Sequence, residues 1–293
     1  MKNTNNSNIK VTLLGTGGPP PVIERFGPAI LVEAGEETLL FDAGRGVLQR
    51  LSQLNPPPKH VRNLFLTHLH SDHTIGLPDL WLTGWLHGRP QTPLRVWGPR
   101  GTVKMMEYLD RAFDYDIRIR LYDDQPPPAG VVILAEDISE GVVYQHGGVK
   151  VTAFLVDHSP IQPAFGYRID YAGRSAVLSG DTRVCENLIT HAKNTDLLVY
   201  EVIAAGMLRT HAKGNTEAME RVIAHHTTPE QAGEIFTRVQ PKLAVYSHII
   251  PVNARAADVI PPTRQTYNGP LEMGEDLMVV NIGDDVTVIR AGK

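Results

Sequence analysis

One cysteine in 293 residues, Cys185, rules out an internal disulfide and a cysteine-rich metal site, so strong metal ligands must be histidines and carboxylates. Cys185 itself reads as a small buried hydrophobe. No apolar run approaches the roughly 18 residues needed to cross a bilayer. The polar start Met1-Lys2-Asn3-Thr4-Asn5-Asn6-Ser7-Asn8 lacks the apolar stretch of a signal peptide. A cytoplasmic protein is expected, a leader already removed being the alternative. Basic residues form no run and the formal net charge is −4, which argues against a broad nucleic-acid surface. Linker-like, low-complexity and repeated segments are all missing, so residues 1–293 read as a single domain. A composition of 42% hydrophobic and 20% charged residues suits a globular chain with a sizeable core.

The densest chemistry lies in Thr67-His68-Leu69-His70-Ser71-Asp72-His73, where four side chains able to bind a metal fall within six residues. In the extended segment that follows Asn63-Leu64-Phe65-Leu66, side chains repeat with period two. His68 and His70 therefore share a side and can grip one ion. Asp72 and His73 come from a turn and can face a second ion about 3.5–4 Å away, the spacing of two-metal hydrolases. Imidazoles and a carboxylate without thiolate make zinc the first expectation, with manganese or iron as alternatives.

Short β-type runs at 11–14, 29–32, 38–41, 64–66 and 94–97 are followed, after residue 148, by others at 149–155, 165–169, 176–179, 197–200, 243–246, 277–281 and 286–289. Two β-rich halves with interleaved helices predict an α/β fold, a four-layer α/β/β/α sandwich. The prolines of Gly15-Thr16-Gly17-Gly18-Pro19-Pro20-Pro21 preclude a helix opening there, so this is a turn rather than a nucleotide loop. Pro126-Pro127-Pro128-Ala129-Gly130 reads as a surface loop.

Three more candidates sit just past apolar strands: His158, Asp181 and His248. A lone strand-end histidine or aspartate is usually structural; three, in a chain that already needs ligands for two ions, point to function.

Together with Leu14-Gly15-Thr16-Gly17, Phe41-Asp42-Ala43-Gly44, Gly76-Leu77-Pro78, Gly166-Tyr167, Ser179-Gly180-Asp181-Thr182 and Ser247-His248, these residues give the chain its likeness. It resembles the metallo-β-lactamase-fold hydrolases, in the ribonuclease Z-like branch that includes tRNA 3′-processing endonucleases and arylsulfatase-like enzymes. The resemblance implies that His68, His70 and His158 hold one metal and Asp72, His73 and His248 the other, with Asp181 bridging. It also implies that His226, in His226-Thr227-Thr228-Pro229-Glu230-Gln231, assists at the leaving group or oxyanion. Locally, Thr228 suits an N-cap, Pro229 the first helical position and Gln231 the closing member of a capping box.

Two departures from that branch shape the expected substrate. The tRNA-clamping arm has no room between Tyr171 and Arg174, and Arg45 stands where an acidic residue is usual. The aromatics of residues 81–124 (Trp81, Trp85, Trp97, Phe113, Tyr115) offer core packing, with one or two left to line a pocket. The expectation is thus a binuclear hydrolase in which two cations lower the pKa of a shared water toward about 7. Asp72 orients that water or accepts its proton, and His226 meets the oxyanion. A helix opening after His73 adds backbone N–H groups that favour an anion. The expected substrate is a small anionic or aromatic ester, either a phosphodiester or an aryl sulfate. A nucleic-acid partner is not expected; a homodimer is an alternative to a monomer. The alternative functions are a tRNA 3′ endonuclease, a lactonase or a hydrolytic dehalogenase; a non-catalytic metalloprotein fits the complete ligand set poorly.

Overall fold

The structure, a computed structural model, describes residues 8–54, 61–88, 91–211 and 216–290; most of the polar start lies outside them. Two sheets pack face to face. One runs in the order Val286–Ile289, Met278–Ile282, Ile9–Gly15, Ala29–Ala34, Glu37–Phe41, Asn63–Phe65, Leu94–Gly98, Ile133–Asp137. The other runs Leu271–Met273, Leu243–Ile250, Leu197–Ile203, Arg174–Leu178, Ala164–Tyr171, Val149–Val156, Gly141–His146.

Alternating side chains of both sheets meet in a shared core, with Val11, Phe41, Phe65 and Trp97 from one sheet against Val151, Tyr167 and Val199 from the other. The opposite faces are covered by helices. Val47–Gln53, Leu77–Thr83 and Thr102–Tyr122 lie on the first sheet, while Glu186–Ala192, Pro229–Val239 and Ala256–Thr263 lie on the second. This is the four-layer α/β/β/α arrangement that the strand pattern predicts. No helix among the described residues is long and apolar enough to cross a membrane.

The division into two halves is corrected in detail. Strands Met278–Ile282 and Val286–Ile289 return to the first sheet, pairing antiparallel through Val11↔Val280 and its neighbours. Strands Ile133–Asp137, Gly141–His146 and Leu271–Met273 escape the apolar pattern because they are short or lie at sheet edges, where alternate side chains stay wet.

Strand direction positions the site. Glu37–Phe41 and Asn63–Phe65 run parallel, as do Arg174–Leu178, Leu197–Ile203 and Leu243–Ile250. Their carboxyl ends therefore gather at one rim, which is where ligands bind in parallel sheets. Across the rim Phe165 N–H donates to Thr67 O at 2.8 Å and Tyr167 O–H to Leu66 O at 2.7 Å, tying the sheets together.

Candidate metal centre

The segment after Asn63–Phe65 bends at Thr67 and is extended at His70, then Ser71–Thr74 forms one helical turn. His68 Nε2 thus stands 2.9 Å from His70 Nδ1, while Asp72 and His73 sit inside the turn. The helix expected to open after His73 is instead Leu77–Thr83, capped by Gly76, and only the four-residue turn belongs to the site. Gly44 permits this approach: a Cβ there would lie 2.6 Å from Asp72 O and 2.4 Å from Gly27 C.

His158 follows Val149–Val156, and its Nδ1–H donates to His225 O at 3.1 Å, leaving Nε2 as an acceptor 3.3 Å from His70 Nδ1. Asp181 lies past Arg174–Leu178 in a turn through Gly180, whose φ is +61° and whose added Cβ would meet Phe165 O at 2.6 Å. His248 belongs to strand Leu243–Ile250 rather than to a loop beyond it. The register passes from Glu201↔Ser247 to Val202↔Ile249, so His248 is a bulged residue with φ +42°, and the bulge turns its ring into the site.

The donor atoms of His68, His70, His158 and Asp181 all lie within 4.8 Å of one another, as do those of Asp72, His73 and His248. Asp181 is buried between the two groups, with Oδ2 3.3 Å from His248 Nε2, 3.4 Å from His73 Nε2, 3.8 Å from His68 Nε2 and 3.9 Å from His158 Nε2. Two ligands 2.0–2.1 Å from one tetrahedral zinc stand about 3.4 Å apart, close to these spacings. His73 Nε2, Asp181 Oδ1 and His248 Nδ1 are buried without a hydrogen-bond partner. Leaving such groups unmet is costly, and cations among them would supply what His73 and Asp181 lack. The residues fit a binuclear centre.

Two carboxylates to which the sequence assigned no role complete the arrangement. Asp42, in left-handed conformation just past Glu37–Phe41, accepts from His73 Nδ1 at 2.7 Å and from Thr67 N–H and O–H at 2.8 and 2.9 Å. Glu201 is 1% exposed and stands 3.3 Å from His226 Nδ1, while its Oε1 accepts from Thr227 N–H at 2.8 Å. The available signal was a lone carboxylate in the run Leu197-Leu198-Val199-Tyr200-Glu201-Val202-Ile203.

His226 lies between helix Thr216–Ala224 and the capped start of Pro229–Val239, where Thr228 and Gln231 form the capping box, and its donor atom is within 4.8 Å of those of Asp181 and His248. Burial disfavours charge on His226, but Glu201 outweighs it and pushes the pKa up to about 9. Burial likewise opposes ionisation of Asp72, yet the hydrogen bond with His248 and the charges of His73 and His248 lower it to about 2.

Most aromatics of residues 81–124 pack in the core, as expected, and none of them lines the metal site. Trp81 and Trp85 are fully buried, their indole N–H groups donating to Val131 O and Pro127 O. Trp97 stacks on Phe65 between the sheets, Phe113 packs into the helix-side core, and Tyr115 is exposed on the outer helix. Arg45 is also exposed, donating to Pro19 O at 3.2 Å.

A sequence profile of the beta-lactamase superfamily domain matches residues 37–249. The chain belongs to this superfamily. Relatives place it in the ribonuclease Z-like branch. A protein named ribonuclease Z from Mycolicibacterium gilvum (strain PYR-GCK) is 36% identical over 294 residues, which span 97% of this chain and 100% of the relative. Another so named, from Mycobacterium marinum (strain ATCC BAA-535 / M), is 33% identical over 282 residues, 94% of this chain and 99% of its own length. Among solved structures, human tRNase Z, short form, aligns at TM-score 0.65 and 24% identity, over 94% of this chain and 99% of that one. The metallo-β-lactamase fold protein YhfI from Bacillus subtilis aligns at TM-score 0.68 and 19% identity over the same shares. The chain is therefore a metal-dependent hydrolase with a metallo-β-lactamase fold.

These relatives correct the expectation that a nucleic-acid partner is unlikely. That expectation leaned on the absent arm, and the structure does show only Ala172 and Gly173 between Ala164–Tyr171 and Arg174–Leu178. Yet the 294-position alignment covers 97% of this chain and the whole relative, so only about ten positions could face gaps here. A protein named ribonuclease Z thus spans the same length without a long arm that this chain lacks.

Proposed function

We propose that this chain is an RNA phosphodiesterase of the ribonuclease Z type, an endonuclease that removes the 3′ trailer of precursor tRNA. The observation that carries this reading is the convergence on Asp181 of two histidine-rich donor groups, with the His226–Glu201 pair beside them. Identity to proteins named ribonuclease Z over nearly the whole chain favours RNA over a small ester. The shared core between the sheets supports reading 1–293 as one domain, and a cytoplasmic location suits such a substrate.

His68, His70 and His158 would hold one cation and Asp72, His73 and His248 the other, with Asp181 shared; zinc suits the donors, with manganese or iron as alternatives. Two bound cations would supply a hydroxide source at neutral pH and neutralise charge on a phosphate. Asp72, held in its carboxylate form, would orient the attacking water or accept its proton. His226 faces Glu201 through Nδ1 and so presents Nε2 to the reacting phosphate, where it donates to the leaving oxygen.

The test compares kcat/KM for a precursor tRNA and for bis(p-nitrophenyl) phosphate on metal-loaded protein. We expect site-specific trailer removal. Efficient hydrolysis of the chromogenic ester with no RNA cleavage would return the chain to the small-ester reading.

A further inference from the structure

We propose that the outer face of helix Thr102–Tyr122 is a track on which the RNA substrate lies as it leaves the candidate metal centre. This rests on the RNA reading above and adds the surface that would replace an arm. The inner face of this helix is settled in the core through Met106 and Ile117, with Leu109, Phe113 and Leu121 packed beside them. The opposite face carries Lys104, Tyr108, Arg111, Tyr115, Arg118 and Tyr122, in which cations and aromatics strictly alternate. At 100° per residue the six fall within about 80° of arc, and at 1.5 Å per residue they extend over about 27 Å.

All six are exposed, and Tyr108, Tyr115 and Tyr122 leave 55%, 76% and 82% of their surface in water. Three exposed tyrosines aligned on one helix face offer a contact surface. Lys104 Nζ lies 5.6 Å over the Tyr108 ring. Arg118 is held only by a solvent-screened pair with Asp114, and Arg111 has no carboxylate partner among the described residues. Glu107, Asp110 and Asp114 are exposed along one edge of the stripe, with Asp114 paired to Arg118.

Position decides the occupant. The helix begins beside the site: a Cβ on Gly101 would lie 3.2 Å from Leu69 Cδ1, and Leu69 separates His68 from His70. A strand with its scissile phosphate at the cluster therefore meets this helix next. Bases stack on tyrosine faces regardless of sequence, and successive cations about 10 Å apart along the axis can neutralise phosphates. A second copy of the chain would equally bury tyrosines, but it would not call for a cation between each pair of rings.

The test uses two variants of the full metal-loaded chain, Lys104→Gln/Arg111→Gln/Arg118→Gln and Tyr115→Ala/Tyr122→Ala. Precursor-tRNA cleavage, bis(p-nitrophenyl) phosphate hydrolysis and sedimentation are measured over a range of salt. We expect KM for RNA to rise about tenfold or more in each, with kcat and chromogenic turnover unchanged. The salt slope of RNA binding should become shallower by about 2–3 in the triple variant. Unchanged RNA KM in both variants overturns the track. A wild-type dimer that the tyrosine variant dissolves, with RNA KM unaltered, overturns it in favour of a second copy. A wild-type chain that hydrolyses the chromogenic ester and never cleaves RNA removes the RNA reading itself.

Discussion

His73 Nδ1 lies 2.7 Å from Asp42 Oδ2, and that contact leaves Nε2, buried and without a hydrogen-bond partner, directed at Asp181 and Asp72. The carboxylate accepts the Nδ1 proton and so selects the tautomer whose Nε2 can bind a cation. Asp42→Asn, which still tolerates the left-handed backbone, should lower metal affinity about 10–100-fold. Competition with a chromogenic chelator measures it, and undiminished affinity would make Asp42 a purely structural clasp on Thr67.

The contrast between His68 and Asp42 shows what the sequence makes legible. Ligands close in the chain are read from spacing, because extended backbone and one helical turn fix where His68, His70, Asp72 and His73 point. Asp42 and Glu201 act on partners 31 and 25 residues away, and only the crossing of strands brings them there. His248 was visible as a residue but not as a bulge, since a bulge depends on the partner strand's register. The helix stripe was hidden differently: its cations are three and four residues from tyrosines and form no run in the chain, although period 3.6 lines them up.

Metal removal should have two readouts. Chelation should abolish hydrolysis, and it should lower Tm because ions that bind only the folded state stabilise it. Adding back about two equivalents of zinc should restore both. Asp181→Ala, which takes the shared oxygens from both groups, should leave activity beyond rescue. Full activity in chelated protein would dismiss the binuclear reading.

Trp85 tests the aromatic cluster. It is fully buried and donates to Pro127 O at 2.9 Å, which pins the proline loop to the helix layer. Trp85→Ala should cost about 3–5 kcal/mol in stability by leaving a large cavity. Denaturant unfolding measures that loss. KM of the folded fraction at low temperature should match wild type, whereas a raised KM without lost stability would restore the pocket role.

The proton on His226 is held by Glu201 against burial. Burial would keep the ring neutral, but Glu201 at 3.3 Å lifts its pKa to about 9, so the ring stays charged at neutral pH. The sign follows from linkage: relative to an unfolded value near 6.5, stability from this charge is fully present below about 6.5 and is lost as pH rises through about 9. If the charged ring donates to the leaving oxygen, kcat falls on the alkaline side as that proton is lost. Glu201→Gln removes the charge that raises the pKa and should move the alkaline limb to lower pH, with metal content kept. His226→Ala should erase the limb and lower kcat about 10²–10³-fold. A kcat profile that keeps its alkaline limb in both variants would assign the limb elsewhere and leave His226 as packing beside His158 and His248.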